Sequence, residues 1–266
     1  MKICILGNSH IAAFRGGWSK VADFYPDVEL EFFGAKGMDL KALRARGSVL
    51  TANSPKVVKQ LMITSGGKSS IDPKDYDGFL IVGVGAGVSM LIKNTQYYRT
   101  AEMIGDVEVE HLVSDDIFSI SALNYIENSV FLRLIRLIRQ VVPHRPIVVA
   151  STPFPRAGIT KAEPDPWAVA DLVGRRLNEL WIEGKEQIAA EYDVEFVEQP
   201  IETIENRFFT SDELSSGSVR LLRDAEHEEE EFSHMNVDYG VAYLHLVMPR
   251  LSELVRSAKQ PSASPA

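Results

Sequence analysis

The chain has 266 residues, of which 45% are hydrophobic and 24% charged, an ordinary globular balance long enough to bury a real core. A net charge of −9 argues against nucleic acid or an anionic membrane surface as the main partner, because both need basic patches. The single cysteine, Cys4, permits no internal disulfide and reads as a small buried residue. Basic residues gather at Lys41–Arg46 and Arg133–Arg139, and both groups read as solvated helix faces.

Met1-Lys2 leads directly into the apolar run Ile3–Leu6, with neither an h-region nor a cleavage site ahead of it. The longest apolar stretch, Phe79–Ile92, is interrupted by glycines and falls short of a spanning helix. The expectation is therefore a cytoplasmic protein without membrane insertion.

Five short apolar runs predict strands: Lys2–Leu6, Val28–Phe33, Gly78–Val84, Ile147–Ala150 and Val194–Val197. They are apolar throughout rather than alternating, as parallel strands covered on both faces are. Helical patterns lie between them. The first is His10–Phe24, whose aromatics Phe14, Trp18 and Phe24, with Tyr25 beyond, read as helix core. Leu123, Val130, Leu134, Leu137 and Val141 mark one helix through Ser121–Val142. Asp165-Pro166 looks like an N-cap followed by a first-turn proline, opening a helix to about Tyr192. The last helix starts near Asn236 with Val241, Leu244, Met248, Leu251 and Val255 at helical spacing, and Pro249 should kink it.

This alternation predicts an α/β fold, an open five-stranded parallel sheet with helices on both faces. A single domain over 1–257 is expected, with an insertion at about 39–77 forming a hairpin or lid, and a disordered tail at 258–266. The insertion and the segment Lys93–His111, with Tyr97, Tyr98 and Arg99, are expected to shape a pocket.

In such sheets ligands sit beyond the carboxyl ends of the strands. Gly7-Asn8-Ser9-His10, Gly34-Ala35-Lys36-Gly37, Gly83-Val84-Gly85-Ala86-Gly87 and Ser151–Arg156 fall there. Ser9 stands at a strand-to-helix turn, where it serves either as an N-cap or as a nucleophile whose own N–H faces a developing oxyanion. Near the other end, Glu231 precedes His234 by three residues, a spacing at which a carboxylate can orient an imidazole that acts as general base. Glu228–Glu231 is an acidic run, so a solvated loop that happens to contain a histidine accounts for the same spacing.

Taken together, strand-Gly-Asn-Ser-His at the start, Gly-x-x-Gly after the second strand and acid-x-x-His before the last helix resemble the Ser-Gly-Asn-His (SGNH) hydrolase superfamily, also called GDSL-type esterases. The resemblance implies a flavodoxin-like three-layer α/β fold and metal-free cleavage of esters on lipids, small molecules or carbohydrates, with no cofactor. Carried over by position, it implies Ser9 as nucleophile, His234 as base and Glu231 in the place of the usual aspartate. The oxyanion would be held by the N–H groups of Ser9 and Gly37, or Gly34 in place of Gly37. The third family block, Gly-x-Asn-Asp, is absent. Gly83-Val84-Gly85-Ala86-Gly87 stands there, so a backbone N–H near Gly85 would replace the asparagine amide, with Asn8 and Asn236 as further polar candidates.

Other readings fit less well. Neither Gly7 nor Gly83 begins a Gly-x-Gly-x-x-Gly dinucleotide fingerprint, and Gly67-Lys68-Ser69 lacks the glycine that a P-loop requires at Met62. His227 with Asp224, Glu226 and Glu228–Glu230 has the residue types of a metal site, though acidic runs are commonly hydrated surface. An acyltransferase using the same site, or a binding protein that keeps the fold without turnover, would share most of these features.

Overall fold

A computed structural model describes residues 1–105, 108–162, 164–223, 225–229 and 231–259, with the side chains of 164 and 165 also outside the description. The chain begins with β1 (Lys2–Gly7), α1 (Ile11–Val21) and β2 (Glu29–Gly34). A hairpin of β3 (Leu43–Arg46) and β4 (Val49–Ala52) precedes α2 (Pro55–Ser65). Next come β5 (Gly78–Val82), α3 (Val88–Asn94), the short pair β6 (Tyr98–Arg99) and β7 (His111–Leu112), then α4 (Asp115–Glu127) and α5 (Val130–Val141). The last third holds β8 (Ile147–Ala150), α6 (Ile159–Ala162), α7 (Pro164–Trp167), α8 (Ala170–Tyr192) and β9 (Glu195–Val197). A second small hairpin, β10 (Ile204–Glu205) with β11 (Phe209–Thr210), and α9 (Val237–Lys259) complete it.

The main sheet has the order β2-β1-β5-β8-β9 with every pair parallel, the flavodoxin-like arrangement. Its side chains alternate between two apolar layers. Cys4, Leu6, Phe79, Ile81, Ile147 and Val149 pack toward α2, α4, α5 and α8. Ile3, Ile5, Leu80, Val82, Val148 and Ala150 pack toward α1 and α9. Both faces are covered, which is why the strands read as unbroken apolar runs. Cys4 is buried and free, and burial pushes its thiol pKa up.

Register sets the site. Gly7, at the end of β1, lies opposite Gly34 of β2 and Val82 of β5, so the loops after these three strands leave the sheet side by side. The crossing from β1 to β5 is the point where strand order reverses, the usual place for a ligand. A Cβ on Gly7 would come within 2.4 Å of Ile11 Cγ2 and 2.6 Å of Val82 O; only glycine lets α1 start that close to the sheet.

Several sequence expectations are corrected. The 121–142 stripe belongs to two helices, because Ser129 accepts a hydrogen bond from Leu132 N at 3.3 Å and begins α5 anew. The long helix begins at Ala170 rather than Asp165, after the separate turn α7 that holds Pro164 and Pro166. The 39–77 segment contains the crossover helix α2 as well as a hairpin. β5 stops at Val82, where Gly83 turns to a positive φ of 69°. Phe24 is 71% exposed rather than core. Helix α9 runs on through Pro249 to Lys259; of the expected tail, 260–266 lie outside the described residues. Nor are the basic groups solvated helix faces. Lys41–Arg46 spans a 3-10 turn and β3. Arg133 donates to Leu43 O, and Arg139 to Tyr192 O, Arg145 O and Asp193 O, tying α5 to its neighbours. Among the described residues, no helix is long and apolar enough to cross a membrane.

Candidate active site

Ser9 follows β1 in a tight turn. Asn8 Oδ1 accepts from His10 N at 3.3 Å, while Asn8 O and Ser9 O accept from Ile11 N and Ala12 N. Ser9 is thus fixed at the start of α1, and its own N–H has no hydrogen-bond partner among the described residues.

His234 reaches Ser9 from the far end of the chain. Ser215 Oγ donates to His234 O at 3.0 Å. Two residues on, Asn236 Oδ1 accepts from Asp238 N and Tyr239 N, while Asn236 Nδ2 donates to Glu213 O and Ser216 O. The segment entering α9 is therefore pinned before the helix begins. Asn236 is committed to this capping role, which removes it as a candidate oxyanion donor. Helices α1 and α9 then pack backbone to backbone at Gly17 and Gly240. The result places His234 Nε2 2.7 Å from Ser9 Oγ across 225 positions of sequence. That distance is a good hydrogen bond, and a hydroxyl donating to Nε2 is the direction a general base requires.

Glu231 Oε1 lies 3.3 Å from His234 Nδ1. The N–H direction misses the oxygen, so Nδ1 has no aligned hydrogen bond. The same Oε1 accepts from Ser233 N at 2.8 Å, which holds it back from the ring. The nearby imidazole, and then the Ser233 N–H, hold the Glu231 carboxyl down at about 2 against the opposing effect of burial. Glu231 is thus ionised near neutral pH, and its contact with His234 Nδ1 is a long, poorly aligned one.

Two further imidazoles, to which the sequence reading gave no role beside His234, complete the arrangement. His227 stacks on His234 with ring centroids 4.2 Å apart and planes 13° from parallel, and His10 lies on the other side at 5.3 Å and 29°. Burial and the neighbouring His234 hold His10 down at about 3, and burial lowers His227 as well. His227 is set by a turn in which its N donates to Ser218 O at 2.7 Å and Val219 bridges Glu226. Its spacing from His234 follows from that turn and carries no periodic signal.

The expected oxyanion donors fare unequally. Gly37 has φ +53° in open space and an unpaired N–H among the described residues. Gly34 does not fit: its N–H donates to Thr64 Oγ1 at 2.8 Å, inside the core. A Cβ on Gly85 would point at Tyr125 Oη, 3.4 Å away, while Gly83 is the residue that meets the Ser9 turn. A Cβ on Gly83 would lie 2.7 Å from Asn8 Oδ1, so the Asn8 amide occupies the space beside this loop.

A cleft of about 510 Å³ opens past β5, β8 and β9. It is lined by residues of 151–154, 171–185 and 198–208 rather than by 39–77; Thr100–Met103 line a neighbouring cleft. Its floor is polar: Ser151 Oγ donates to Glu198 Oε2 at 2.5 Å, while Trp181 Nε1 and Lys185 Nζ donate to Glu198 Oε1. A second cavity, about 380 Å³, meets His227 and Glu231 beside Glu226, Glu228, Glu229 and Arg156.

Of the acids grouped with His227 in the sequence, Asp224 and Glu230 lie outside the described residues. A nitrogen of His227, a nitrogen of His234 and an oxygen of Glu231 fall within 4.8 Å of one another. The two rings are nearly parallel, however, so their in-plane lone pairs run side by side. One ion could take both only if a ring turned and the stack broke.

No protein-family model matches the chain, and no curated protein matches it. Solved structures similar to it include the periplasmic domain of a lipopolysaccharide acetyltransferase from Salmonella ser. Paratyphi A, at 10% identity and TM-score 0.45 over 94% of this chain and 83% of that one. An extracellular lipase from Streptomyces rimosus is 12% identical with TM-score 0.48 over 94% and 99%. A carbohydrate acetylesterase family member from Sinorhizobium meliloti is 13% identical with TM-score 0.43 over 96% and 100%.

Proposed function

We propose that this protein is a serine-dependent acyl hydrolase of the SGNH kind. The observation that carries the reading is the 2.7 Å approach of His234 Nε2 to Ser9 Oγ at the carboxyl end of the sheet. His234 takes the Ser9 proton as Oγ attacks an ester carbonyl, then returns it to the leaving alkoxide. Glu231, ionised with its carboxyl at about 2, steadies the imidazolium that forms between the two transfers. Water, activated by the same imidazole, releases the acyl group in the second half. The oxyanion faces the unpaired N–H groups of Ser9 and Gly37, and Asn8 supplies the side-chain amide that Gly85 lacks.

Transfer to an acceptor hydroxyl is the second reading. It uses the same acyl-enzyme, and the cavity of about 380 Å³ that meets His227 and Glu231 has room for a small acceptor. Fluorophosphonate labelling mapped by mass spectrometry, with p-nitrophenyl acetate turnover, tests both readings. Modification at Ser9 and loss of at least about 10³-fold in kcat in Ser9→Ala are expected. Turnover that survives Ser9→Ala rejects Ser9 as the nucleophile and both readings with it, and a wild type that neither labels nor turns over rejects them in favour of a binding protein.

A further inference from the structure

We infer that His227 is a positioning residue for His234, holding the plane of that imidazole in which Nε2 meets Ser9. The inference rests on the acyl hydrolase reading. In a Ser-His-acid arrangement the acid usually fixes the ring through a linear bond to Nδ1. Here that bond is weak: Glu231 Oε1 lies 3.3 Å from Nδ1, also accepts from Ser233 N, and is out of line with the ring nitrogen. One hydrogen bond, at Nε2, does not stop a ring from tilting about its own axis.

The stack supplies the missing restraint. His227 covers one face of His234 at 4.2 Å with planes 13° apart, and His10 lies across the other at 5.3 Å. Each is held by its own backbone. His227 is fixed through its N–H to Ser218 O, and His10 through its N–H to Asn8 Oδ1. His227 Nε2 is enclosed without a hydrogen-bond partner. Among the described residues the ring makes no hydrogen bond, so what it presents to His234 is its flat face. Both neighbours carry lowered pKa values; uncharged rings can lie against an imidazole that must itself take up a proton.

Fluorophosphonate labelling of Ser9 and p-nitrophenyl acetate kinetics on wild type, His227→Ala and His227→Phe test this. His227→Ala should slow labelling and kcat about 10-fold or more with KM within about twofold, because a small misplacement of a reacting group is costly. His227→Phe, which restores a flat ring without nitrogens, should recover to within about threefold of wild type. If His227→Ala does not melt cooperatively, His227→Leu takes its place in the same comparison. An alanine or leucine variant at wild-type rate overturns the inference, as does a folded His227→Phe as slow as either. A wild type that does not label at Ser9 removes the hydrolase reading and this inference together. Labelling that is unchanged by His227→Ala removes the inference alone.

Discussion

Gly240→Ala is the sharpest test of how the fold brings Ser9 and His234 together. Helices α1 and α9 touch through their backbones, and a Cβ at 240 would lie 2.0 Å from Ala13 O and 2.4 Å from Ala13 C. The atoms met are main chain, so no side chain can swing aside. The helices must part by about an ångström, and with main chain at 2.0 Å the overpacking strain falls at the ~3 kcal/mol end of its usual span. Alanine's better helix propensity offsets about 1 kcal/mol of that, leaving a net loss near 2 kcal/mol at the upper end. For a chain of this size, Tm should fall by roughly 4–8 °C. Ala13 lies one turn beyond Ser9 and Gly240 six residues beyond His234, so the same parting lengthens the 2.7 Å contact and should lower kcat by about 10- to 100-fold. Thermal unfolding followed by circular dichroism, alongside ester turnover, reads both effects. A variant melting within 1 °C of wild type with full turnover would show that these helices are not in contact, and the placement of His234 would fall with them.

Glu231→Gln should lower kcat by about 10²-fold near pH 7, less than loss of a fully aligned acid, and a change under threefold would remove Glu231 from the mechanism. Its folded pKa, about 2, lies below the ordinary 4.5. Its stabilisation is therefore complete above pH 4.5 and lost as pH falls toward 2, so wild type should lose more Tm between pH 5.5 and pH 3 than Glu231→Gln does; equal losses would refute this coupling. Asn8→Ala removes both the acceptor for His10 N and the proposed amide donor. It should cut kcat by about 10²-fold with KM little changed, and an unaltered kcat would leave Asn8 as a turn residue only.

The sheet was legible because its strands are covered on both faces, so Ile3–Leu6, Phe79–Val82 and Ile147–Ala150 stand out as apolar runs at any register. The pairing of Ser9 with His234 was legible because Ser9 follows the first strand and His234 precedes the last helix, and Glu231 because it stands three residues before that histidine. What escaped were features decided by contacts between distant segments. The break before α5 depends on one serine within an otherwise continuous apolar stripe, and α7 hid in a proline pair that imitates a helix start. Gly34 reads like Gly37 in sequence, yet Thr64, thirty residues away, takes its N–H. His227 becomes a neighbour of His234 only because the turn at 218–227 folds back on itself.

The glycine-rich loop explains why an asparagine amide would come from Asn8 and not from the third strand's loop. Gly83, Val84, Gly85 and Gly87 all have positive φ, from 49° to 107°, a run that L side chains rarely adopt. Val84 bears this conformation while fully buried, held by Phe131 N donating to its carbonyl, and Thr152 N holds Ala86 O in the same way. A loop strained in this manner is kept in place by its neighbours, α5 and the segment after β8. An asparagine at 85 would meet φ +90° and Tyr125 Oη at 3.4 Å, and its side chain would start toward α4 rather than toward Ser9. Gly83, with no side chain, leaves room for Asn8 to lie against the same loop from the β1 side. On the hydrolase reading, the side-chain amide beside this loop is therefore that of Asn8, one residue ahead of Ser9 and just past the end of the adjacent strand β1.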